Sequence, residues 1–106
     1  MLPGVTFVEL AAYTRRAKDL LDDDAHLDLC VRLLRQPGAG AVIPGAGGLR
    51  KLRVAAKGHG RRGGARVIYY WQDAAGLIWL CRIYTKNEAE NLPAAEVKKI
   101  QSELRP

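Results

Sequence analysis

An α+β fold, with helices set against one antiparallel sheet, is what this chain predicts, and three observations carry the prediction. Apolar residues recur at three- and four-residue spacing in the first third, alternate across the middle, and return to helical spacing near the end. Helical and strand-like stretches are segregated along the chain, which implies an α+β sheet. At 106 residues, 48% of them hydrophobic, the chain is long enough to bury a core as one domain spanning 1–106, without disulfide or metal.

The elements follow in order. Residues 5–9 (VTFVE) read as a first strand. Leu10, Tyr13, Ala17, Leu20 and Leu21 form a helical stripe, and Asp22-Asp23-Asp24 both breaks that helix and caps the next, since aspartates suit N-caps and the positive end of the helix dipole. The second helix presents Leu27, Cys30, Val31 and Leu34 as its expected buried stripe and stops at Gln36-Pro37-Gly38, giving a helical hairpin. Ala41-Val42-Ile43 is a short extended piece before the turn Pro44-Gly45-Ala46-Gly47-Gly48. Residues 49–55 alternate, with Leu52 and Val54 on one face and Lys51 and Arg53 on the other. Residues 65–72 and 77–85 are β-branched and aromatic and join through Asp73-Ala74-Ala75-Gly76 as a hairpin. Pro93 opens a last helix, to Leu104, with Ala94, Val97, Ile100 and Leu104 on one face. All helices are expected on one side of the sheet, leaving the other side open.

The net charge of +6 is local. Residues 37–71 hold seven of the 17 Lys and Arg and none of the 11 Asp and Glu, so the rest of the chain is within one charge of neutral. Such a cluster repels itself unless an anion completes it, and nucleic acid is the commonest partner, with an acidic protein segment second. No apolar run is long enough to cross a bilayer and the first residues lack the pattern of a signal peptide, so a cytoplasmic protein without membrane contact is expected. Cys30 and Cys81 read as isolated apolar thiols, and His26 and His59 are not spaced with them as metal ligands. No metal or other cofactor is expected.

Strand alternation places Arg66, Ile68 and Tyr70 on one face and Val67, Tyr69 and Trp71 on the other. On the next strand Leu77, Trp79, Cys81 and Ile83 alternate with Ile78, Leu80, Arg82, Tyr84 and Lys86. The expected open face gathers Arg53, Arg66, Tyr84 and Lys86, beside Lys51 and Tyr70 and overhung by Lys57, His59, Arg61 and Arg62. Arginines fork onto phosphates, and tyrosine rings stack bases of single-stranded RNA. RNA also carries its own nucleophile, the 2′-OH. Arginines can neutralise a developing phosphorane, and a lysine or tyrosine crowded by cations has its pKa pushed down toward service as a base. The plainer readings are a solvated hairpin, aromatic residues that serve as sheet packing, an incidental His59 and a structural His26.

Three ordered segments sharpen the choice. VIPGAGGLRKLRVAAKG (42–58), GGARVIYYW (63–71) and IYTKNEAENL (83–92) together resemble the RelE/HigB superfamily of bacterial type II toxins, most closely its HigB branch, over most of the chain. The resemblance implies a RelE-like fold and a ribosome-dependent, metal-independent endoribonuclease that cuts mRNA during translation. It also implies a HigA-like helix-turn-helix antitoxin as cognate partner, through which the pair meets operator DNA. Carried over by position, the basic cleft falls on Arg53, Lys57, Arg66 and Lys86, with Tyr84 in the I-Y-x-K-N-E element. Arg53 and Arg66 are then phosphate ligands, Lys57 or Lys86 the proton-transfer group, and Tyr84 a stacking or hydrogen-bonding partner. Lys51, Arg61, Arg62 and Tyr70 extend the RNA-binding surface.

Two departures bear on the base. Residues 87–106 contain no tyrosine, where some RelE relatives place one, and His59 stands in a loop where relatives more often carry lysine. Two rival readings keep the fold: a gyrase-poisoning toxin of the ParE type, and a catalytically silent RNA-binding or interaction module.

Overall fold

The computed structural model describes residues 4–57, 64–86, 88 and 91–104. In chain order these form β1 (Thr6–Glu9), α1 (Ala11–Leu20), α2 (Asp23–Arg35), β2 (Ala41–Val42), β3 (Arg50–Val54), β4 (Ala65–Gln72), a 3₁₀ turn (Asp73–Ala75), β5 (Leu77–Thr85) and α3 (Ala94–Glu103). One five-stranded sheet runs β1-β5-β4-β3-β2. β2 to β5 pair antiparallel, while β1 lies parallel to β5, so the sheet is mixed. The helical hairpin and three strands that separate β1 from β5 in the chain supply the long connection a parallel pair requires.

The acidic break behaves as its chemistry dictates. The Asp22 carboxylate accepts a 2.8 Å hydrogen bond from the Ala25 amide, and Asp23 and Asp24 occupy the first turn of α2. The buried stripe of α2 differs from the expected one. Leu29 and Leu33 are buried at 2% and 0% exposure, whereas Leu27 and Leu34 remain 60% and 49% exposed. Both stripes are apolar at helical spacing, and the roll of α2 on the sheet selects between them. Leu33→Ala is therefore expected to cost about 2–5 kcal/mol, and Leu34→Ala about 0.5 kcal/mol or less. Paired denaturant titrations measure this, and equal losses would contradict the assignment.

Helices cover both faces of the sheet. Tyr13, Ala17, Leu20, Leu29 and Leu33 of the hairpin pack on Leu52, Val67, Tyr69, Ile78, Leu80 and Ile83. On the opposite face α3 sets Ile100 and Val97 against Leu49, Ile68, Trp79 and Cys81. The expectation of a wholly open second face is thus corrected: the apolar side of α3 needs cover of its own, and this face supplies it.

A bulge changes the phase of β5. Ile68 pairs with Arg82 but Tyr69 pairs with Leu80, which leaves Cys81 as the extra residue. Strict alternation placed Ile83 with Leu77, Trp79 and Cys81. The extra residue instead sends Ile83 to the hairpin side with Ile78 and Leu80, and Tyr84 to the α3 side with Trp79.

Tyr69 is core, as the plainer reading of the aromatics has it. It is fully buried, its hydroxyl donates to the Pro37 carbonyl at 2.7 Å, and it accepts from the Gly40 amide at 2.8 Å. A Cβ on Gly40 would lie 2.7 Å from the Tyr69 ring, so the 37–40 segment requires glycine there.

Candidate nucleic-acid interface

The strand register brings three of the expected residues into one transverse line. Arg53 on β3 is the partner of Arg66 on β4, which is the partner of Tyr84 on β5. Cross-strand partners project from the same face. The neighbouring line is Lys51, Ile68 and Arg82. Two like charges directly opposite across a ladder are destabilising, so Arg53 beside Arg66 is not explained by sheet energetics.

Arg66 is the unusual member of the line. Its side chain is buried to 6% exposure, and its Nη1 has no hydrogen-bond partner among the described residues. A buried guanidinium nitrogen without an acceptor is costly, because the desolvation is not repaid. Arg53 is exposed.

Tyr84 is half-buried, and its hydroxyl donates to Glu96 Oε1 of α3 at 3.1 Å. Burial, and then the nearby Glu96 carboxylate, push its pKa up to about 12. The general expectation that a tyrosine in this cluster is shifted toward a base is therefore corrected for Tyr84: the carboxylate beside it outweighs the cations. At neutral pH it is a hydrogen-bond donor.

Sequence reasoning missed the residue that organises this corner. Arg82 is only 4% exposed and is fully engaged: Nε donates to Glu96 Oε1 at 2.6 Å, Nη1 and Nη2 to Glu103 at 3.1 and 2.9 Å, and Nη1 to the Cys81 carbonyl at 2.7 Å. Burial opposes its charge, but the hydrogen bonds it donates to Glu103 and Glu96 prevail and raise its pKa. The signal in the sequence is an arginine inside the apolar run LIWLCRIYT, which a core strand tolerates only with paired acids. The same bond holds the Glu96 carboxyl below the usual carboxylate range.

The remaining expected residues are distributed differently. The Lys86 amide donates to the Gly64 carbonyl at 3.4 Å, which sets Lys86 just past the end of the Ala65–Thr85 pairing. The Lys57 ammonium donates to the Lys18 carbonyl at the end of α1 at 3.4 Å, so it is engaged there and not with the arginine line. Lys51 is half-buried beside Val42 and Leu92. Tyr70 packs in the α3-side core, four residues or roughly 13 Å along β4 from Arg66. Arg61, Arg62 and His59 lie outside the described residues. His26 contacts the Tyr13 hydroxyl at 3.2 Å and Cys30 Sγ at 3.8 Å inside the hairpin, consistent with a structural place. Among the described residues no group of His, Cys, Asp and Glu has the arrangement of a metal site, and no helix is long and apolar enough to cross a membrane.

Beyond Tyr84 the sheet edge opens into a cavity of about 420 Å³ between α1 and α3. Arg15, Arg16 and Asp19 contribute from α1, Glu96 and Lys99 from α3, and Glu88 from the turn after β5. Glu88 bonds Arg16 Nη2 and the Thr85 amide, which ties that turn to α1.

No family model matches the chain. Among solved structures it is similar to an arginine-to-alanine mutant of the E. coli toxin RelE in the free state, with a TM-score of 0.61 over 93% of this chain and 95% of that one. The two are 14% identical, so the likeness establishes a RelE-like fold.

Proposed function

We propose that this chain is the toxin of a bacterial type II toxin–antitoxin pair, HigB-like in kind, and that it cuts mRNA on the translating ribosome. The observation that carries the reading is the Arg53–Arg66–Tyr84 line, with a buried guanidinium nitrogen that lacks an acceptor, on a RelE-like fold. The positive charge of Arg66, set directly opposite Arg53, is what a phosphodiester would neutralise once the side chain turns out to meet it.

In the reaction the ribose 2′-oxygen attacks the adjacent phosphorus while its proton passes to the proton-transfer group, Lys57 or Lys86. The bond to the 5′-oxygen breaks, and that oxygen takes a proton from solvent water while the proton-transfer group returns the 2′-OH proton to solvent. The products are a 2′,3′-cyclic phosphate and a 5′-hydroxyl. Arg66 and Arg53 neutralise the phosphorane oxygens without losing their own protons, and Tyr84 donates a hydrogen bond or stacks a base. RNA brings its own nucleophile, so the scheme needs no metal. Lys57 must leave the Lys18 carbonyl to take part, which favours Lys86 as the first residue to test. The proposed partners are a HigA-like helix-turn-helix antitoxin, which would cover the basic face with acidic groups, and through it operator DNA. The proposed setting is one domain acting in the cytoplasm.

Primer extension on translating ribosomes, with end-group analysis, tests the reading. Cuts bearing cyclic phosphate are expected, together with growth arrest on induction that the neighbouring antitoxin gene relieves. Intact mRNA beside inhibited gyrase supercoiling would replace it with the ParE-type reading, and neither effect would leave the silent module. Binding to ribosomes and RNA should also weaken steeply between about 50 and 200 mM salt, as counterion release requires; affinity indifferent to salt would contradict the phosphate contacts.

A further inference from the structure

We propose that the cavity between α1 and α3 is a base-recognition pocket that selects an RNA base carrying an exocyclic amino group and disfavours uracil. This deepens the reading above and rests on it.

Continuity places the pocket on the strand's path. Tyr84 is both the last member of the transverse line and part of the cavity wall, so an RNA strand held along Arg53 and Arg66 meets the cavity next. The volume of about 420 Å³ accommodates a splayed nucleotide. The aromatic ring beside the opening suits stacking, the usual way a single-stranded base is held.

The polar groups decide which base. Glu96 takes its bonds from Arg82 and Tyr84 on Oε1, and Glu88 takes those from Arg16 and Thr85 on Oε1. Each carboxylate therefore has its second oxygen available, among the described residues, as an acceptor. Both carboxyls are shifted toward the ionised form, Glu88 chiefly by the Thr85 amide and Glu96 chiefly by Arg82, so neither offers a proton to a ligand. An ionised carboxylate accepts only. Adenine and cytosine present one amino donor on the Watson–Crick edge, and guanine presents two adjacent donors. Uracil presents a single N–H between two carbonyls, whose oxygens repel the carboxylate. Arg15 and Lys99 supply donors for the acceptors of the amino-bearing bases and for the neighbouring phosphate.

The test measures binding of the full chain to a short oligouridylate and to the same oligomer with one central guanosine, adenosine or cytidine. The amino-bearing oligomers are expected to bind about tenfold more tightly, the discrimination one good base-edge contact supplies. Amide shifts should centre on Ala12, Ile83 and Tyr84. In Glu88→Gln, and separately in Ala12→Leu, which narrows the cavity from α1, the ratio should fall toward one. Equal Kd values for all oligomers, no binding, or a preference that survives both variants overturns the pocket. Cleavage on ribosomes is scored in parallel. Cutting without a base ratio removes the pocket and leaves the nuclease; a base ratio without cutting upholds the pocket and removes the nuclease.

Discussion

Arg66→Met is expected to reduce mRNA cleavage by about two to three orders of magnitude while leaving the fold as stable as before, or more stable by about 1–3 kcal/mol. The two effects share one cause. The Arg66 guanidinium is buried, its Nη1 has no acceptor among the described residues, and it stands directly opposite Arg53, so in the free protein it is a net cost. Methionine fills a similar volume without a charge. In the proposed reaction the same group meets the phosphorane, where a fixed donor in a dry site is worth most. Arg66→Lys should recover charge but not the forked geometry, and so only part of the rate. Thermal unfolding and primer extension on one preparation decide the matter. Unchanged cleavage, or destabilisation beyond about 2 kcal/mol, would show the residue to be structural.

Arg82→Ala is expected to destabilise the protein by about 3 kcal/mol and to loosen α3 first. Removing one partner of a buried charge network leaves the others uncompensated. The lower end of the usual range applies because the Glu96 and Glu103 side chains are 30% and 32% exposed and can regain water. Amide exchange in 94–103 should accelerate more than in β4, since Arg82 is the charged anchor of that helix on the sheet. A loss below about 1 kcal/mol, or exchange that rises uniformly, would contradict this.

Acid should act through the same anchor. The Glu96 pKa is depressed in the folded state, so its contribution is complete above the ordinary value of 4.5 and disappears as pH falls through the folded value. Arg82→Ala removes the main cause of the depression. The variant's stability should therefore fall less steeply than that of the parent below about pH 4.5, and equal slopes would count against Arg82 as the cause.

Much of the architecture was legible from local chemistry. Asp22-Asp23-Asp24 had to end one helix and start another, because short acids compete for backbone amides and favour the positive end of a helix. The β4 and β5 boundaries follow from β-branched and aromatic runs on either side of Asp73–Gly76. The Arg53–Arg66–Tyr84 line was legible in part, since alternation within β3 and β4 already placed the two arginines on one face.

What the sequence alone determined is therefore the set of elements, the location of the positive charge, and the resemblance that names a chemistry for it. The tertiary structure decided which stripe of α2 is buried, since Leu27–Leu34 and Leu29–Leu33 satisfy helical spacing equally. It decided that α3 covers the second face, and that β5 changes phase at Cys81, an event period-two reasoning has no means to register. It decided as well that Tyr84 is half-buried against Glu96, a residue 12 positions away, so that its proton is held and not released. These outcomes share a physical reason: periodicity records which residues need cover, and only the packed chain determines which neighbour provides it.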